Sequence, residues 1–213
     1  MIRYIIKPLF ILLLITITGF NSCSENEDTM TLLPVQTKQI TNLHAPQSGG
    51  QGQPVSGDFV KFNFTTGETT IDNKEWDIAF RGTSIIINGG ISLGTNDEPN
   101  RNGEAAVYIA SGNMASVTDI DTTSFLQDSQ SNYAILTGGG NGWYNYAGPP
   151  THLITPIPGK ILVFKTHNGL YAKVEILSYY KNFPSQPDAF IDGTPYYTFN
   201  YVYQPNQGVN GFE

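Results

Sequence analysis

The stretch KILVFKTHNGLYAKVEILSYYK, residues 160–181, limits the possible folds more than any other part of the chain. Two strand-like runs meet there at Asn168-Gly169. An Asn-Gly pair suits a type I′ turn, in which both central residues take positive φ. Side chains alternate along a strand, so Val174, Ile176 and Ser178 fall on one face and Lys173, Glu175 and Leu177 on the other. His167 flanks the turn opposite Leu170 and reads as an exposed hairpin-end residue. The segment therefore commits the chain to antiparallel sheet.

Period-two patterns recur on both sides of this hairpin. VKFNF aligns Val60, Phe62 and Phe64, and EWDIAF sets Trp76, Ile78 and Phe80 against Asp77 and Ala79. TSIIING and AAVYIA read as further strands. Near the C-terminus, YYTFNYVYQ sets Tyr197, Phe199, Tyr201 and Tyr203 against Tyr196, Thr198, Asn200 and Val202. Only DTTSFLQDSQ has spacing that suits a helix, with Ser124 and Gln127 at capping-box distance, and one or two turns are the most it allows. Many short strands without a long amphipathic helix predict an all-β single domain of sandwich-like antiparallel sheets. The low charged fraction agrees, 14% against about 25% in an average domain.

The first residues carry a different pattern. Arg3 and Lys7 precede the apolar run PLFILLLITITGF, and NSC follows. A basic start, an apolar centre and small residues before a cleavage point read as a secretory signal over residues 1–22. The run is too short for the roughly 20 residues of a membrane-spanning helix. The single cysteine, Cys23, stands directly after it, and FNSC resembles a loose lipobox whose cysteine is acylated. A lone cysteine forms no internal disulfide. The expectation is a lipid-anchored protein, attached to the membrane through its N-terminal lipid only; the acidic SENED after Cys23 resembles the export tag of surface lipoproteins, which implies the outer membrane and the cell surface.

Residues 23–55 are polar and turn-rich and read as the lipidated N-terminus and a flexible tether, with the β domain over 56–213. His44 lies in this segment as a linker histidine. Loss of Arg3 and Lys7 with the signal leaves nine basic residues against 18 acidic ones, a formal charge of −9. No basic cluster remains to grip phosphates, which argues against nucleic-acid binding.

Enzyme signatures are missing: there is no GxSxG, HExxH, CxxC or Walker loop, and the glycine-rich GGGNGW lacks the Lys-Ser/Thr and helix of a phosphate cradle. The reading is a non-enzymatic binding protein. The stretch GGGNGWYNYAGPPTH holds five glycines together with Trp143, Tyr144, Tyr146 and His152. These four are the candidate ligand-binding residues. A structural zinc site wants four nitrogen or sulfur ligands, whereas haem needs one or two axial donors and an apolar slot. His152 and Met114 are candidate iron ligands, with loop histidine and core filler as their alternative readings. A tyrosinate from Tyr144 or Tyr146 is a third possibility.

EWDIAFR, IPGKILVFKTHNGLYAKVEILSYYK and YYTFNYVYQ, in that order behind a lipoprotein signal, resemble the HmuY-like family of Bacteroidetes surface lipoproteins. The resemblance implies an all-β fold with finger-like hairpins and a haem held between them. It also implies hand-off of that haem to a TonB-dependent outer-membrane receptor. Haem-binding members place one His or Met ligand before the Gly-Trp strand and a second a few residues after the Trp. Here residues 117–141 hold neither residue type, and Tyr146 and Ala147 stand near the second place. Met114 lies just upstream and His152 just downstream of the expected positions. The other reading of the same features is a surface binding module for a glycan, peptide or protein partner that has lost the haem ligands.

Overall fold

The computed structural model describes residues 31–50 and 52–213. The signal segment, Cys23 and the first part of the tether lie outside the described residues. The strands are β1 (Gln36–His44), β2 (Ser48–Gly50), β3 (Gln53–Ser56), β4 (Val60–Asn63), β5 (Glu68–Thr70), β6 (Ile78–Arg81) and β7 (Ser84–Ile87). They continue as β8 (Ala106–Ser111), β9 (Tyr144–Tyr146), β10 (Ile154–Pro156), β11 (Lys160–Lys165), β12 (Tyr171–Ser178) and β13 (Tyr196–Gln204). No helix forms among the described residues. At 121–130 the Asp121 carboxylate takes the Thr123 N–H and both hydroxyls of Thr123 and Ser124, closing a turn where the sequence spacing suits a short helix.

Two antiparallel sheets build the domain: a five-stranded sheet in the order β1-β13-β12-β11-β8 and a four-stranded sheet in the order β5-β4-β6-β7. Their facing sides share one core. Phe62 meets Phe199 with ring centroids 5.5 Å apart, Phe64 meets Phe164 at 5.4 Å, and Phe80 meets Tyr197 at 4.8 Å. Tyr197, Phe199, Tyr201 and Tyr203 all enter this core, as their alternation predicts. The reverse faces have smaller cores of their own. Ile161, Val163 and Val202 pack with Val117, Ile120 and Phe212 behind the larger sheet, and Ala79 and Ile86 pack with Trp76 and Tyr133 behind the smaller.

Three local expectations change. Residues 36–44, read as tether, form an edge strand along β13. An edge strand pairs through its backbone, so Gln36, Thr37, Lys38 and Gln39 satisfy it while keeping their polar side chains near water; Ile40 and Leu43 supply the buried contacts. Second, Trp76 packs behind the four-stranded sheet, apart from Ile78 and Phe80, because regular pairing starts only at Ile78. Third, the hairpin turn is longer than two residues. Thr166 N–H donates to Leu170 O and Gly169 N–H to Thr166 O, and of the Asn-Gly pair only Gly169 has positive φ. That matches a three-residue loop with glycine in the left-handed position.

His167 explains the longer loop. Its backbone N–H and Nδ1 both reach Asp77 Oδ1, at 2.8 and 2.7 Å, and Nε2 lies 3.2 Å from Glu75 Oε2. The side chain is 9% exposed rather than free at a hairpin end. Asp77 Oδ2 also takes the Phe64 N–H at 2.7 Å. This buried carboxylate thus pins β11 and β12 to the smaller sheet.

Candidate functional site

The β9–β10 hairpin carries the glycine-rich stretch, pairing Ile154 with Tyr146 and Pro156 with Tyr144. It is rooted in the main core at both ends. Trp143 is 3% exposed, packs on Tyr144, Tyr179 and Tyr197, and donates its indole N–H to Thr83 O at 2.9 Å. Ile154 N–H donates to the Tyr180 hydroxyl at 2.9 Å. Trp143 and Tyr144 therefore carry the hairpin from beneath, whereas Tyr146 and His152 stand at its exposed end.

Tyr146 and His152 are brought into direct contact. The Tyr146 hydroxyl is hydrogen-bonded to His152 Nδ1. His152 takes φ +53° and its N–H closes onto Gly148 O at 2.8 Å. Histidine is one of the few side chains found with some frequency in this left-handed region. The turn that returns His152 toward Tyr146 contains the cis Pro149-Pro150 bond.

A second loop, 181–195, meets this end. It leaves the sheet directly after Tyr180, and its base is closed by Lys181 N–H to Gly193 O at 2.9 Å and Tyr196 N–H to Tyr179 O at 3.0 Å. Asp188 and Asp192 tie the tip into a tight turn through Phe190 N–H to Asp188 Oδ1 and Asp188 N–H to Asp192 Oδ2, both at 2.8 Å. The tip presents Phe190 and Ile191, 72% and 81% exposed. Phe190 meets the His152 ring edge-on at 5.8 Å. Between the loops lies a cavity of about 230 Å³ whose lining includes Pro150, Leu153, Pro187, Ala189, Phe190 and the acidic Asp188, but neither Tyr146 nor His152.

Phe190 and Ile191 escape the sequence patterns. Their visible signal is KNFPSQPDAFIDGTP, a proline-rich loop with apolar residues that no strand period accounts for.

Met114 is elsewhere. It packs with the cluster of Ile161 and Val163, on the opposite face of the five-stranded sheet from Leu162 and Phe164. It borders the turn whose Met114 and Val117 carbonyls accept from Lys173 Nζ, at 2.6 Å each. His44 stacks on Tyr196 with ring centroids 4.3 Å apart. Of the candidate iron donors, Tyr146 and His152 share one site and Met114 does not.

Burial separates the tyrosines here by chemistry. Desolvation pushes the phenols of Tyr179, Tyr180 and Tyr197 above the ordinary value, so all three stay protonated. Tyr146 is 49% exposed, and its hydroxyl is hydrogen-bonded to His152 Nδ1. A larger cleft of about 750 Å³ runs between Phe59, Lys61, Ile71 and Asp97 beside the smaller sheet. It contains none of the predicted residues, and its Lys61 ammonium is occupied by Ile71 O, Asp72 O and Asn73 Oδ1.

Two antiparallel sheets with an exposed hairpin define an all-β domain. The sequence profile of the HmuY protein family matches residues 56–201. The chain belongs to the HmuY family. A comparison with curated proteins finds no match. Among solved structures, an apo HmuY analogue of Tannerella forsythia is 13% identical with a TM-score of 0.49, covering 82% of this chain and 99% of its own. An HmuY-like heme binding protein of Bacteroides vulgatus is 15% identical with a TM-score of 0.46, over 81% and 93% of the two chains. A lipoprotein of Bacteroides fragilis is 14% identical with a TM-score of 0.42, over 81% and 90%.

Proposed function

We propose that this protein is a lipid-anchored binding protein of the outer-membrane surface that takes up haem, or a related flat apolar ligand, between the 147–153 and 181–195 loops. The observation that carries this reading is the Tyr146–His152 pair set beside exposed Phe190. It combines an iron donor set with an apolar wall. Haem needs only one or two axial donors, and the chain supplies two polar atoms in contact beside the exposed Phe190 ring. Acylated Cys23 supplies the anchor, and a TonB-dependent receptor takes the cargo onward. Trp143 and Tyr144 serve the site by holding the hairpin rather than by touching the ligand.

Titration of the full chain with hemin in mild detergent, followed at the Soret band, tests this. Saturable 1:1 binding that Phe190→Ser and Tyr146→Phe both weaken supports it. A spectrum identical to hemin in detergent alone, in either redox state, refutes it.

The cavity favours one second reading. At about 230 Å³ it falls below the roughly 300–1,000 Å³ of small-molecule pockets, while Phe183, Phe190 and Ile191 of the 181–195 loop are all exposed. Such a surface suits a glycan, peptide or protein partner as well as the edge of a porphyrin. A glycan array with positive hits, or a peptide-display hit mapping to Phe190, without any porphyrin binding, selects it.

A further inference from the structure

We infer that the outer edge of β8 at Ile109 is a docking site for a short, uncharged, extended peptide, which adds to the five-stranded sheet as one more strand and places an aliphatic side chain in the cavity beside it. This edge is separate from the proposed haem site: the lining of its cavity contains none of Tyr146, His152 and Phe190. β8 ends the sheet on one side, paired only with β11. The backbone groups of a strand point alternately toward its two sides. Gly112 N–H donates to Gly159 O at 2.9 Å, on the β11 side. Val107 points the other way, its N–H donating to Leu126 O at 2.9 Å and its carbonyl accepting from Leu126 N–H at 3.0 Å. The even-numbered residues of β8 therefore bond to β11, and Val107, Ile109 and Ser111 turn their backbone groups outward.

The chain itself fills this outer edge only as far as Val107. Ala105 N–H donates to Asn88 O at 3.0 Å, Ala105 O accepts from Gln127 Nε2 at 3.1 Å, and Leu126 takes both groups of Val107. The segment before Leu126 folds away through the turn that Ser124 N–H closes onto Asp121 O. Among the described residues no hydrogen bond reaches the outward N–H or carbonyl of Ile109. An extended backbone is what satisfies such a donor and acceptor together, as in strand addition to an exposed sheet edge. Beside Ile109 lies a cavity of about 420 Å³, within the roughly 300–1,000 Å³ of ligand pockets. Ile109 and Ala134 both pack on the main core, whereas Tyr108 packs on the opposite face. Paired residues share a face, so the residue opposite Ile109 points its side chain toward Ala134. The apolar lining there is Ile109, Leu126, Tyr133, Ala134 and Leu136. The polar lining is Ser129 and the amides of Gln127, Asn132 and Asn141, and no Asp, Glu, Lys or Arg contributes. With no counter-charge in the cavity, an uncharged aliphatic side chain is the one that fits. Leu126 already holds the place beside Val107, so an added strand has to begin or end next to it. That suits a short segment rather than the continuous edge of a second copy.

The test uses the full chain in mild detergent and an array of end-blocked pentapeptides, Thr-Val-X-Val-Thr, with X varied over all residue types and binding read by fluorescence polarisation. Leu, Ile or Val at X should bind better than Asp or Lys by about tenfold or more, which is 1.4 kcal/mol. Single N-methyl groups placed along the best peptide should act with a period of two. Methylation of an N–H that faces β8 should weaken binding by about tenfold, and methylation of its neighbours by less than about twofold. Leu136→Asp should erase the preference for an aliphatic X. Ile109→Pro removes one outward N–H at a sheet edge, where proline is tolerated, and should weaken every peptide. Equal thermal midpoints show that these variants fold; where a midpoint drops, the N-methyl series on the parent chain decides alone. Absence of binding by every peptide at millimolar concentration overturns the inference, as does an N-methyl series without the two-residue period. A dimer in sedimentation velocity that Leu136→Asp dissolves also overturns it, by giving the edge to a second copy.

Discussion

Replacing Trp143 with phenylalanine separates support of the site from contact with its ligand. The indole is 3% exposed among Tyr144, Tyr179 and Tyr197, with centroid separations of 5.0, 5.9 and 5.1 Å. Phenylalanine keeps one six-membered ring there and removes the pyrrole part. Losing those buried atoms and leaving a small void costs about 1–2 kcal/mol, in line with other partial truncations in cores. The indole N–H also satisfies Thr83 O at 2.9 Å; leaving that carbonyl without its donor costs about 1–3 kcal/mol more. The expected loss is about 2–5 kcal/mol, a large share of the roughly 5–15 kcal/mol that keeps a domain folded. Urea unfolding should show it as a lower midpoint at unchanged slope. Hemin affinity of the folded variant should move by less than about tenfold, because the indole lies under the hairpin. A stability loss below about 0.5 kcal/mol, the range of surface substitutions, together with collapsed hemin affinity would refute this and make Trp143 a ligand contact.

Other parts of the molecule give sharper electrostatic tests. The hydrogen bond to Asp77, with Glu75 adding to it, raises His167 above the ordinary histidine value. The stability it confers is therefore fully present below about pH 6.5 and is lost as pH rises through the higher folded value. His167→Ala should cost about 1.5–3 kcal/mol at pH 6, and the gap between variant and parent should narrow by pH 9; urea midpoints with a constant gap would exclude the ion pair. Arg101 bridges Glu98 and Asp128, with all three side chains at most 2% exposed. Arg101→Met strands two buried carboxylates and should cost about 3–5 kcal/mol, so a thermal midpoint near that of the parent chain would contradict the network. Phe190→Ser, at a side chain 72% exposed, should leave stability within about 0.5 kcal/mol while weakening metal-free protoporphyrin; unchanged affinity removes Phe190 from the wall.

How far the sequence reveals this architecture depends on whether a residue's role is set by its own strand or by a distant partner. The alternation in 196–204 places Tyr197, Phe199, Tyr201 and Tyr203 in the core correctly, because a two-sheet sandwich presents one apolar face to each strand. The same rule fails at 36–44. An edge strand is held by backbone hydrogen bonds, which leave no mark on composition, so Gln36 to Gln39 look like tether. It fails again at His167, whose burial depends on Asp77, ninety positions earlier.

The site divides along the same line. The Tyr146–His152 contact is local, spanning six positions of one hairpin, and the unusual residues of GGGNGWYNYAGPPTH point to it directly. Its apolar wall is not local: Phe190 comes from a loop that no strand period covers. What brings the two together is the adjacent pair Tyr179 and Tyr180. The Tyr180 hydroxyl takes the Ile154 N–H and so fixes β10, while the Tyr179 carbonyl takes the Tyr196 N–H and closes the base of the 181–195 loop. Both residues read in sequence as the end of a strand, one buried aromatic after another. Their hydrogen bonds run to either side of them, so the hairpin and the loop are hung from one point of the main sheet. Separating the base of the hairpin from the base of the loop therefore requires breaking the Tyr180–Ile154 bond or the Tyr196–Tyr179 bond, whereas the residues beyond those anchors, which line the cavity of about 230 Å³, are not held by them.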